Sequence, residues 1–223
     1  MASAARMAKH LVQAYKAIHL AHQRAQAKLD ALLQTNPLYK LFDQDPTHPY
    51  YDLAAAGQRM LSEYEHLASG LMNWTLGTRT IGQELAMAKN RQVASGQPAD
   101  VNLDAVLQIE SSTMTEVEIA HELLALYRAV TATLSRAQPN MINHALRIQH
   151  GVKNEHRHKE MPELKITTEC RTAERSVKTL SGDLLDCGQG NTTVRRELEK
   201  MQVMLALASQ RKDTVIDALL KLH

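Results

Sequence analysis

Apolar residues recur along this chain at the three- and four-residue spacing of helices. Met7, Leu11, Tyr15, Ile18, His22, Ala25, Leu29 and Leu32 form one stripe, which predicts a helix over 3–34. Pro37, Pro46 and Pro49 then interrupt the chain, because proline cannot continue a helix interior. Asp52 is a suitable N-cap for a second helix over 52–94. Its Leu53, Met60, Leu67, Trp74, Ile81 and Ala88 fall seven apart, with Gly57, Tyr64, Leu71, Thr78, Leu85 and Gln92 as the companion series. That repeat reads as a coiled-coil seam about 60 Å long at 1.5 Å per residue, with Gly77–Thr78 as its bend. After a turn at 95–98, Asn102 can cap a third helix over 103–138. Its apolar set is broad, from Val117 and Ile119 to Val130 and Leu134, so several neighbours must pack on it.

The last third returns to heptads. Pro139 ends or kinks the third helix, and a less regular stretch fills 140–161. Ile166, Ala173, Leu180 and Cys187 alternate with Cys170, Val177 and Leu184 over 163–186. A Gly-rich turn follows, and over 193–223 Val194, Met201, Ala208, Val215 and Leu222 alternate with Leu198, Leu205, Lys212 and Leu219. The short turn predicts an antiparallel helical hairpin. The fold class is therefore all-α: long heptad-patterned helices in an elongated bundle or antiparallel coiled coil. Residues 1–138 are expected to form an N-terminal three-helix bundle, and 139–223 a C-terminal segment with the hairpin.

Composition narrows the class further. The 223 residues include only 9 Gly and 6 Pro, too little turn chemistry for a multi-stranded sheet. Eight residues are aromatic, and Tyr39, Phe42, Tyr50 and Tyr51 crowd into 35–51 as a candidate apolar plug or docking surface. Cys170 and Cys187 are too few for a disulfide scaffold; one bridge between them is conceivable, but a reducing cytoplasmic or other intracellular compartment is the default expectation. Residues 1–29 also have the basic, acid-poor composition of a mitochondrial presequence, the second reading. No apolar run is long enough for a transmembrane segment.

The net charge of +2 conceals segregation. Residues 1–40 carry six bases and one acid, whereas 92–127 carry six acids and no base. Those two segments are expected to pair with each other or with a partner subunit. The basic face over 6–28 could also lie on an anionic surface, but its Ala-rich stripe, without Trp or Phe, favours a helix–helix contact.

Two Glu-x-x-His motifs are the sharpest chemical candidates: Glu63 with His66, and Glu118 with His121. At i and i+3 the two side chains share a helix face and can reach one metal ion. In these four residues and in helical class the chain resembles the ferritin-like di-iron proteins, which implies a di-metal centre inside a four-helix bundle. His144, Arg147, His150, Lys153, His156, Arg157, His158 and Lys159 form a basic cluster, diluted by Glu155 and Glu160 and lacking aromatics for base stacking, so no specific nucleic-acid partner is expected. No phosphate loop or nucleophile motif is present, and no cofactor is expected.

The leading expectation is a non-enzymatic coiled-coil scaffold. It is a complex subunit whose seams pair with other helical subunits, as homo- or hetero-oligomer, in a cytoskeletal, kinetochore-type or tethering assembly. The expected partner interface is Leu53, Met60, Tyr64, Leu67, Leu71, Trp74, Ile81, Leu198, Met201, Leu205, Val215 and Leu219. The alternative is the di-metal bundle.

Overall fold

The structure is a computed structural model; it describes the backbone of residues 3–35, 49–149, 162–208 and 213–222, with side chains over 3–34, 51–138, 165–208 and 213–222. The described residues are all-α: eight helices and one minimal β-hairpin. In chain order they are α1 (Ala4–Thr35), α2 (Pro49–Met72), β1 (Thr75–Leu76), β2 (Arg79–Thr80), α3 (Ile81–Ala94), α4 (Val101–Leu107), α5 (Glu116–Gln149), α6 (Pro162–Leu185), α7 (Val194–Leu207) and α8 (Thr214–Leu220).

Four long helices close a ring. α1 packs along α2 and α6, and α5 packs along the same two from the opposite side. Cross-helix contacts set an up-down-up-down order. The Tyr64 hydroxyl of α2 donates to the Leu11 carbonyl of α1 at 2.9 Å, and a Cβ on Gly57 would stand 3.2 Å from His22 Cα. Early residues of α2 thus meet late residues of α1, the antiparallel arrangement. Arg136 of α5 binds Asp52 of α2 at 2.7 Å, Thr167 of α6 donates to the Ala137 carbonyl, and Arg6 and Arg24 of α1 reach Asp183 and Glu169 of α6. Each pair again joins the start of one helix to the end of the other. One apolar core runs through all four, from Met7, Leu11 and Ile18 to Leu67, Leu123, Val177 and Leu180. That core includes residues of both the 1–138 and 139–223 segments, so the bundle draws on each.

Several expected boundaries move. The helix expected over 52–94 is two helices. The chain leaves α2 at Met72, turns at Gly77 with φ +75, and re-enters as α3 at Ile81. Only a residue tolerant of the left-handed region fits there without strain. Trp74 and Ile81 keep their seven-residue spacing because they face each other across the hairpin, where the Ile81 N–H donates to the Trp74 carbonyl at 3.0 Å. Thr80 then caps α3 in a capping box with Gln83.

The helix expected over 103–138 also divides, into α4 and α5. α4 is capped by Asp100, whose carboxylate accepts from the Asn102 and Leu103 N–H groups, and not by Asn102. α5 continues through Pro139 to Gln149.

The C-terminal hairpin is corrected as well. α7 leaves the end of α6 and packs chiefly on α5, and α8 lies among α5, α6 and α7. Tyr39 and Phe42 of the aromatic cluster, the Tyr50 side chain, the side chains of the His-rich cluster at 143–159 and Lys212 lie outside the described residues. No helix of the described residues is long and apolar enough to cross a membrane.

Candidate functional site

The expected partner interface divides sharply once folded. Leu53, Met60, Tyr64, Leu67, Leu71, Trp74, Ile81, Leu198 and Leu219 are buried in the chain's own core. They form no open seam, because α1 and α5 cover the α2 stripe and α7 packs its first turns on α5. Met201, Leu205 and Val215 stay half-buried.

Three exposed large apolar side chains lie one step further along α7, at positions outside the heptads, while Val93, Val101 and Val117 are exposed singly elsewhere. Val203 is 57% exposed, Met204 67% and Leu207 76%. They sit within Met201–Gln210, a stretch without a single charged residue. α7 is secured at its other end. Thr193 caps it, Val194 and Leu198 are buried, and Glu197 is held by Thr192 at 2.7 Å and Lys200 at 2.7 Å. The preceding loop is pinned too: the Glu116 carboxylate accepts from the Gln189 and Gly190 N–H groups at 2.5 and 2.6 Å. With its amide oxygen turned toward the hairpin, Gln189 accepts from Trp74 Nε1 at 3.1 Å and from the Thr75 N–H at 2.7 Å. α8 is tied back by the Asp213–Arg128 ion pair, the Arg195 bonds to the Leu220 and Leu222 carbonyls, and the Gln202–Asp217 bond. The result is a helix anchored at one end and apolar, uncharged and exposed at the other.

The metal motifs recombine. Glu63 and His66 do come together on α2, but their third neighbour is Glu122 of α5, with one ligand atom of each within 4.8 Å of the others. Glu118 is committed elsewhere: it accepts from the Thr115 N–H and hydroxyl at 2.7 and 2.9 Å, the start of α5. Those bonds hold its carboxyl below its ordinary value. His121 is exposed. Inside the bundle, the buried polar or charged residues are Glu84, Thr133, Thr167, Ser181 and Glu197, with no His among the described residues. The four residues of the ferritin-like motif therefore do not meet in the core.

The charge complementarity is redistributed. Basic α1 gives Arg6 and Arg24 to α6, and His10 Nδ1 lies 2.8 Å from Asp183 Oδ2 in the same contact. Of the acids in 92–127, Asp104 pairs with Lys89, Glu116 with the loop, and Glu122 with His66. The apolar stripe over 6–28 is buried in the bundle, which leaves its bases at the edge of a covered helix. Both cysteines are free and buried. Burial, with Glu169 adding to it, pushes the Cys170 thiol up to about 12, and burial beside Asp183 and Asp186 pushes Cys187 up to about 11. Both side chains belong to the apolar core.

One cleft of about 300 Å³ opens between α1, α3 and α4. Its floor is Ala8, Val12, Leu85 and Leu103, and its rim carries Lys9 and Arg91. Glu84 on its wall is engaged by Arg79 at 2.9 Å and faces Arg91 at 3.7 Å. Comparison of the chain with family models, with curated proteins and with solved structures finds no match.

Proposed function

We propose that this chain is a non-enzymatic helical subunit that joins other helical proteins in a larger assembly, through the free end of α7. The observation that carries the reading is the exposure of Val203, Met204 and Leu207 within a stretch of ten uncharged residues. Clustered apolar side chains of this size cost free energy in water and are characteristic of surfaces that another protein covers. The anchoring of α7 by Glu116, Thr193 and Glu197 supports the same reading, since it presents that end on a fixed base. A cytoskeletal, kinetochore-type or tethering complex is the kind of assembly such a subunit suits.

The test is a tagged full-length chain recovered from native extract, compared with a Met204→Glu, Leu207→Glu double variant. The wild-type chain should retain a helical partner, or a second copy, in stoichiometric amount. The variant should lose it while keeping its unfolding temperature. A wild-type chain recovered alone and monomeric would overturn the reading.

A further inference from the structure

The cluster of Glu63, His66 and Glu122 lies on the solvent side of the α2–α5 contact. Glu63 and His66 are one helical turn apart on α2, and Glu122 faces them from α5, with His66 Nδ1 3.9 Å from Glu122 Oε2. Among the described residues, no ion pair joins either carboxylate to a Lys or Arg, and the imidazole of His66 lies between them and solvent, paired with Glu122. Two carboxylates held this close repel each other, and the antiparallel packing of α2 on α5 keeps them there. A dication between them removes that repulsion and uses the imidazole as a third ligand.

From this placement we infer that Glu63, His66 and Glu122 form a site for one divalent transition-metal ion of the Zn²⁺ type, which clips α2 to α5. The ligand set fits that class: one imidazole nitrogen and two carboxylate oxygens, with metal–ligand bonds of about 2.0–2.2 Å. Three ligand atoms within 4.8 Å need only small side-chain rotations to reach those bonds. His66 is 65% exposed, so the ion can enter from solvent and keep a water as its fourth ligand. The site is mononuclear and superficial, distinct from a di-metal centre in the bundle core.

The probe is Zn²⁺ itself, added to chelator-treated full-length chain and followed by competition with a chromophoric chelator and by thermal unfolding. Other histidines can take up zinc, so the readout is the difference between variants. His66→Asn and Glu122→Gln should each weaken binding of one zinc equivalent at least about tenfold and remove the zinc-dependent rise in Tm. Glu118→Gln and His121→Asn should bind as the wild type does. Unchanged zinc binding in both His66→Asn and Glu122→Gln would overturn the assignment, as would an equal loss in Glu118→Gln. His66 is exposed, so its variant carries the test even if Glu122→Gln perturbs folding.

Discussion

In α2, Leu53, Met60, Leu67 and Leu71 point into a ring of helices and are covered along the whole length of the element. In α7, Val194 and Leu198 are covered in the same way, but Val203, Met204 and Leu207 are not. Both helices carry apolar residues at heptad-like intervals. The difference arises from what stands opposite. α2 has an antiparallel neighbour on each side, whereas α7 lies outside the four-helix ring and rests on α5. An apolar repeat therefore specifies that a face is to be covered, but not by which chain. Where the molecule supplies the cover the repeat builds core, and beyond that cover, at Val203, Met204 and Leu207, apolar side chains stay exposed.

The contrast is broken most directly by truncating one leucine from each region. Leu67→Ala, at a fully buried position, should lower unfolding free energy by about 3 kcal/mol in urea titrations. Leu207→Ala, at a position 76% exposed, should change it by less than about 0.5 kcal/mol. Equal losses would mean that α7 is as firmly covered as α2.

Acid should separate the two regions next. The bundle core is apolar, whereas α7 and α8 add to their buried Val194, Leu198, Ile216 and Leu219 the carboxylate contacts of Glu116, Glu197 and Asp213. Burial pushes the Glu116 carboxyl up, but the N–H groups of its own residue, Gln189 and Gly190 outweigh burial and hold it below its ordinary value of 4.5. Asp213 is likewise raised by burial and lowered further by the Val215 N–H and Arg128, ending below 3.8. Folding lowers both values, so the unfolded chain takes up more protons in acid. The stability these groups contribute is complete above their ordinary values and is lost as pH falls below them. Hydrogen exchange should therefore show protection over 194–207 and 214–220 falling with acid before protection over 53–71. Simultaneous loss would place the two regions in one cooperative unit.

A smaller loss than that of Leu67→Ala tests the hairpin that follows α2. Thr80→Ala removes the cap of α3 and half of its reciprocal pair with Gln83, at a cost of about 1 kcal/mol in the same titration. A loss near zero would show that packing of Ile81 and Leu85 alone positions α3.

The helical class and the extent of α1 were legible from the 3–4 spacing, since Met7, Leu11, Ile18, Ala25 and Leu29 are all buried. The hairpin at 75–80 was not, because Trp74 and Ile81 preserve a seven-residue interval across a reversal as they would along a helix. The signal that could have found it is Gly77 between two short threonine-bearing segments, followed by the Thr80–Gln83 capping box. The start of α5 hid a second box, Thr115 with Glu118, inside a stretch read as continuous helix, and it claims the very glutamate offered as a metal ligand. Glu122, which meets His66, has no histidine at helical spacing in its own segment; only the α2–α5 pairing brings it to one. The exposed end of α7 lay in plain view as a run of ten uncharged residues. The heptad positions within it are Met201, Leu205 and Ala208, whereas the large apolar side chains that remain exposed are Val203, Met204 and Leu207.

Site-specific photo-crosslinking tests the central claim at that position. A photoreactive phenylalanine analogue replaces Met204 of the full-length chain in its native cells, and the same analogue replaces the comparably exposed Val101 as a control. Irradiation should join position 204, and not position 101, to one discrete protein, whether a different chain or a second copy, and the added Leu207→Glu change should abolish the product. No discrete crosslink at 204, or the same products at both positions, would contradict the assignment of this helix end as the interaction surface.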